Sequence, residues 1–123
     1  MTQLTQRQQA MLIWPVLSFA ARMQRVLTYG DIQGLTGIAR IGQGQALGLI
    51  HDYCKRKHYP LLNTIAVLGQ GEGVGFPSHG EPEQMSQVQY LEERARVFAF
   101  DWTSTAVDKP RPEDFDESHP ATA

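Results

Sequence analysis

At 123 residues, the chain has room for one compact domain and not for two ordinary ones. An apolar fraction of 41% and a charged fraction of 20% are those of a globular protein with a modest core. No run approaches the roughly 18 apolar residues of a membrane span. The net charge of −2 hides an asymmetry: residues 1–60 carry seven Lys/Arg against two acids, and residues 61–123 carry four against eleven. A basic half therefore precedes an acidic one, which suggests a basic binding face with an acidic tail, or two surfaces meant for different partners.

Residues 6–25 place Leu12, Val16, Phe19, Ala20, Met23 and Val26 at helical spacing, and that stripe is expected to face the core. Pro15 either kinks one long helix or opens a second helix at its first position, where a missing N–H is harmless. The apolar stretch 11–17 that contains it is followed by no small-residue cleavage site, so no signal peptide is expected. Thr28-Tyr29-Gly30-Asp31 reads as a helix start: Thr28 can cap free N–H groups while Asp31 reaches back. Ile32 and Leu35 are expected inward, with Gly37 ending the helix. A loop over 38–41 then leads to a longer helix over 42–57, with Ala46, Leu47, Ile50 and Cys54 inward and Lys55, Arg56 and Lys57 at its C-terminus. A short helix, a Gly-bearing turn and a longer helix make a helix-turn-helix pattern.

Beyond Pro60, the run 61–68 is rich in apolar and β-branched residues and predicts a strand. The glycines of 69–75 would turn it, and 74–76 would return as the second strand of a wing. A further helix is expected over 83–98, with Met85, Val88, Leu91, Ala95 and Phe98 on its inner face, and Phe100 and Trp102 folding the chain back on the core. The fold class predicted is thus mainly α with a small β-wing, a winged helix-turn-helix-like single domain over 1–102. Residues 103–123, rich in Pro, Asp and Glu, are expected to form a structureless acidic tail.

Candidate contacts gather in the basic half. Tyr29 and Arg40 flank the turn, Gln43 and Gln45 stand where an exposed recognition-helix face can read adenine, and Lys55, Arg56 and Lys57, with His58 beside them, form a phosphate-binding patch. The plainer readings are a packed Tyr29 against Val26 and Leu47, a loop charge at Arg40, a solvated helix face, and cations complementing a helix dipole. His51, Cys54 and His58 share one helical face, but a tetrahedral zinc site wants a fourth ligand that only His79 could bring. No metal or cofactor is expected. The glycines of 69–75 lack the Lys and Ser/Thr of a phosphate loop, and Glu72 would repel phosphate. Cys54 as the sole cysteine excludes an internal disulfide and fits a reducing, cytoplasmic compartment.

The segment 26–67 resembles the DNA-binding domain of the alkylguanine-DNA alkyltransferases and alkyltransferase-like proteins. The likeness rests on Val26-Leu27-Thr28-Tyr29-Gly30-Asp31-Ile32, on Ala39-Arg40, and on Ile41-Gly42-Gln43-Gly44-Gln45-Ala46-Leu47. It implies a DNA-binding helix-turn-helix in which Tyr29 helps rotate a nucleotide out of the duplex and Arg40 fills the gap. Where that family carries Pro-Cys-His-Arg, this chain has Leu61-Leu62-Asn63-Thr64-Ile65-Ala66-Val67. A thiolate nucleophile needs a low-pKa cysteine beside a base, so alkyl transfer is excluded, and no other catalytic arrangement stands out. The sequence predicts a non-catalytic DNA-binding module without a membrane segment, its oligomeric state open and a homodimer allowed. The alternative is a protein-interaction or inhibitor module, phage- or mobile-element-encoded, that binds a host protein through the same fold.

Overall fold

The computed structural model describes residues 4–67, 87–104 and 110–115. Its elements are α1 (Gln6–Arg22), β1 (Leu27–Thr28), α2 (Tyr29–Thr36), α3 (Arg40–Lys57), a 3-10 turn (Leu62–Ile65), β2 (Ala66–Val67), α4 (Gln87–Ala99) and a second 3-10 turn (Pro112–Asp114). The chain is mainly helical, with one small two-stranded sheet. Among the described residues, no helix is long and apolar enough to cross a membrane.

Local chemistry explains the helix ends. Thr5 and Gln8 form a capping box at the start of α1, and Thr28 and Asp31 form another at the start of α2. In each, a hydroxyl satisfies one orphan N–H while the residue three on reaches back. Gly37 closes α2 at φ 79°, a left-handed conformation that glycine takes without steric cost. Pro15 lies inside α1, which runs through it unbroken. Its ring sits at the exposed side of the helix, and tertiary packing of the opposite face outweighs the lost backbone bond.

The core is arranged around α3, which packs most extensively against α1. Residues 43–54 of α3 are buried apart from Gln45 and Gly48, which are half-buried. Tyr53 is its aromatic centre. Trp14 meets Tyr53 edge-on at 5.5 Å and Phe115 meets it at 5.7 Å between ring centroids. Trp102 joins through Trp14 at 5.8 Å and Phe100 at 4.6 Å, and its indole N–H donates to the Val97 carbonyl at 2.9 Å. The expected return of Phe100 and Trp102 onto the core is therefore present, each pair contributing about 0.5–1.5 kcal/mol beyond its buried area.

Several expected faces are turned. Ala10, Ile13, Trp14, Leu17, Ala20 and Ala21 are the buried side of α1, whereas Leu12, Phe19, Met23 and Val26 are exposed. Both sets recur at helical spacing, so α1 is apolar on two faces and periodicity alone does not choose between them. Leu35 likewise points outward, while Ile32 is buried. On α4, Val88, Leu91 and Ala95 are exposed, and Tyr90 and Val97 face the core. Met85 lies outside the described residues. The reason on α4 is polar: Glu93 accepts the Leu61 N–H at 2.8 Å, and Arg94 donates to the Thr64 carbonyl at 3.1 and 2.9 Å. Those inward polar groups rotate the helix.

The same bonds reshape the segment expected as a strand. Residues 62–65 coil into a 3-10 turn, with the Thr64 hydroxyl donating to the Leu61 carbonyl at 2.8 Å. Once side chains satisfy this backbone, no ladder is needed. Among the described residues of that run, Ala66–Val67 forms the strand, pairing in parallel with Leu27–Thr28. The returning strand and the glycine turn lie outside the described residues.

A correction also applies to the acidic tail. Within 110–115, expected to be structureless, Pro110 and Phe115 are buried, the Phe115 carbonyl accepts from Arg7 Nε at 2.7 Å, and the Asp114 carbonyl accepts from Arg56. One aromatic side chain offers enough apolar area to order the short segment around it. Phe115→Ala is expected to destabilise the protein by about 3–5 kcal/mol in urea denaturation. A change of only a few tenths would mean that the segment holds nothing.

Candidate functional site

Residues 37–39 connect α2 to α3, so the two helices follow in helix-turn-helix order. Arg40 is the first residue of α3 and not part of a loop. Its side chain is exposed, and its guanidinium lies 3.4 Å from where a Cβ on Gly30 would stand. Glycine at position 30 thus leaves the berth that Arg40 occupies beside the start of α2. Ala39, the N-cap of α3, makes no side-chain cap bond, so the positive end of this helix is covered by no capping oxygen. Ile41 follows at 90% exposure, and Gln45, one turn on, is half-buried.

Two expected contact residues are placed elsewhere. Gln43 is fully buried, and its Nε2 donates to the carbonyls of Tyr29 and Ile38, each at 2.9 Å. It reads no base edge, because the turn's own backbone takes its donor. Tyr29 is buried in the core as the first residue of α2, which removes its ring from the surface. The packed reading of Tyr29 is the one the structure carries.

The cations at the other end of α3 have neighbours of their own. Arg56 donates to the Asp114 carbonyl, and Lys57 Nζ lies 5.9 Å over the Tyr53 ring, a cation–π distance. Lys55 and His58 line a cleft of about 250 Å³ with Tyr59, Leu61, Glu93 and Arg96, where Glu93 opposes a phosphate and is itself paired with Arg96 at 2.9 Å. From residue 40 to residue 56, α3 rises about 24 Å, so Arg40 and this patch are separate surfaces divided by a buried stretch of helix.

His51 and Cys54 are both buried, and His51 Nδ1 lies 3.3 Å from Asp52 Oδ1. His58 has left the helix for a left-handed C-cap at φ 61°, so the three do not share a face. Among the described residues, no three His, Cys, Asp or Glu side chains are gathered to hold a metal; His79 lies outside them. Burial pushes the Cys54 thiol up to about 12, with the Leu62 backbone bond lowering it and Glu93 raising it by smaller amounts. A thiol held protonated in this way is no nucleophile.

What the sequence reading missed is apolar. Pro15, Val16, Phe19 and Ala20 of α1 and Met23 at its C-cap line an open groove of about 360 Å³ together with Arg25, Leu27 and Leu35. The signal was present, since most of these residues formed the stripe expected to face the core.

Two outcomes test these placements. Gln43→Ala strips the donor from the Ile38 carbonyl, worth about 1–3 kcal/mol, together with the second bond to Tyr29, and should lower the denaturation midpoint without removing a surface contact. Cys54 should resist a thiol reagent at pH 8 until the protein unfolds. Because its folded pKa is raised from 9.0 to about 12, its contribution is full below pH 9 and is lost as pH rises toward 12. A stability that rose over that window would contradict the burial. No protein-family model, curated protein or solved structure matched the chain.

Proposed function

We propose that the protein is a non-catalytic DNA-binding module of winged helix-turn-helix type that meets the duplex end-on, through the first turn of α3. The observation that carries this reading is Arg40 seated over Gly30 and exposed beside Ile41 at an uncapped helix start. Helix-turn-helix proteins place the N-terminal residues of the second helix against base edges. A guanidinium there suits both phosphate and guanine, and the helix dipole adds to it. The buried middle of α3 supports an end-on approach over one in which the whole helix lies along a groove. Gln45 stands at the edge of that contact. The 55–57 patch, about 24 Å away along the axis, is at most a distant backbone contact. The likeness of 26–67 to the alkyltransferase scaffold supports the same surface, with Arg40 retained from its role there and Tyr29 given over to packing.

A salt-dependent titration against double- and single-stranded DNA tests the reading. Arg40→Ala should weaken binding about tenfold, roughly 1.4 kcal/mol, and reduce the slope of log K against log salt by about 1. Neutralising Lys55, Arg56 and Lys57 together should cost less than Arg40→Ala alone. No binding of either DNA at low salt, or full affinity in Arg40→Ala, would remove the proposal.

A further inference from the structure

Residues 110–115 reach the core from the acidic half of the chain, and they bring their own backbone bonds with them. The Asp114 N–H donates to the Arg111 carbonyl at 2.8 Å, and the Phe115 N–H to the Pro112 carbonyl at 3.3 Å. The Arg111 N–H donates to Asp114 Oδ2 at 2.8 Å, so a carboxylate three residues on meets an orphan donor at the start of the turn. Arg111 Nε stands 3.6 Å from a carboxylate oxygen of Glu113 and of Asp114. Among the described residues, no backbone–backbone hydrogen bond joins this segment to a helix or to the sheet. The turn is closed on itself.

Side chains hold it in place. Pro110 and Phe115 are buried while residues 111–113 are exposed, and the turn rests against α1. The Phe115 ring meets Tyr53 of α3 at 5.7 Å between centroids. The Phe115 carbonyl accepts from Arg7 Nε of α1 at 2.7 Å, and the Asp114 carbonyl accepts from Arg56 near the end of α3. One aromatic anchor flanked by two guanidinium donors, beneath an exposed acidic turn, is how a short peptide ligand is held. Because both arginines bond main-chain carbonyls, the seat selects the shape of the turn. The acids at 113 and 114 supply the charge that a pair of arginines favours.

We propose that residues 110–115 are a built-in ligand. The surface formed by Arg7, Tyr53 and Arg56 is a peptide site for a short acidic turn ending in phenylalanine, and this chain's own segment is its resident occupant. The segment opens as a unit and leaves the four helices folded. Its internal bonds leave with it, and what it gives up is the burial of Pro110 and Phe115 and the two arginine bonds. Once it is out, the same segment supplied by another molecule takes its place. The site lies at the other end of α3 from Arg40, about 24 Å along the axis, so it does not rest on the DNA-binding reading.

Fluorescence anisotropy with a labelled synthetic peptide of residues 109–117 and the full-length chain tests the seat. Phe115→Ala vacates the site, and that variant should bind the peptide with a Kd on the order of 10 µM, given an effective concentration in the intact chain on the order of 1 mM. The wild-type chain, its site filled, should bind about tenfold more weakly or less. A scrambled peptide of the same composition, or one with alanine in place of the phenylalanine, should not bind. Adding Arg56→Ala, at an exposed position, should weaken binding by about tenfold. Phe115→Leu, which keeps an apolar anchor, carries the same comparison if the alanine variant does not fold. Absence of binding by a vacated variant that keeps its helical circular dichroism would overturn the proposal. So would equal binding by the wild-type chain, or equal binding of the scrambled peptide.

Discussion

The amide of Gln43 holds the two helices of the turn in one geometry. A reversal of direction buried against a core leaves carbonyls that neither a helix ladder nor water can satisfy. Gln43 reaches from α3 to the Ile38 carbonyl within the turn and, with its second amide hydrogen, to the Tyr29 carbonyl at the start of α2, an oxygen that also serves the helix ladder. A side chain with two amide donors can tie the turn to both helices at once. Its own Oε1 is buried without a partner among the described residues, a cost of about 1–3 kcal/mol set against those two bonds. The angle between α2 and α3 follows from this bond pair, and so does the seat of Arg40 over Gly30.

That arrangement also explains why α3 sits inside the fold. With its N-terminal end pinned to the turn, the helix runs on beneath α1 and the 62–65 turn, ending in the aromatic assembly of Trp14, Tyr53 and Phe115. The polar residues on the way are accommodated in place: His51 and Asp52 face each other at 3.3 Å, and the thiol of Cys54 stays protonated. A helix buried along its middle offers chemistry only at its ends. The N-terminal end is open and positive, and at the C-terminal end Arg56 donates to the Asp114 carbonyl, Lys57 lies over Tyr53 and Lys55 shares a cleft with Glu93.

Features set by neighbours in sequence were legible before the fold was known. The Thr28–Asp31 capping box and the left-handed Gly37 depend on residues within one turn, and both stand where the sequence placed them. The stripe of Ala46, Leu47, Ile50 and Cys54 on α3 was legible as well and is buried, although Leu49 and Tyr53 on its other side are buried with it. The faces of α1 and α4 were not. On α1 two apolar stripes satisfy the same period, and only the position of α3 selects one. On α4 the inward side is chosen by Glu93 and Arg94 bonding to backbone some thirty residues away in sequence, which no local pattern contains. Phe115 was read with its acidic, proline-bearing neighbours, yet its ring meets Tyr53 from far along the chain. The misreading of Gln43 has the same origin: a glutamine on a helix looks solvated until a turn's carbonyls come within reach.

The charge asymmetry takes a sharper form once the faces are assigned. Of the seven basic residues in the first half, Arg7 and Arg56 are spent on the backbone of 114–115, and Lys57 lies over Tyr53. Arg22 faces Asp101. Lys55 lines the cleft that holds Glu93, while the exposed Arg40 stands beside Ile41 and the exposed Arg25 is among the residues lining the apolar groove. Neither is a broad basic face. A single guanidinium with an exposed isoleucine and a helix dipole suits a narrow, polar contact. The short α2 is the wall beside Arg40, fixed at its start by the Thr28 cap and the Gln43 bond to Tyr29. A ligand meeting Arg40 therefore meets a wall that the core already holds in place.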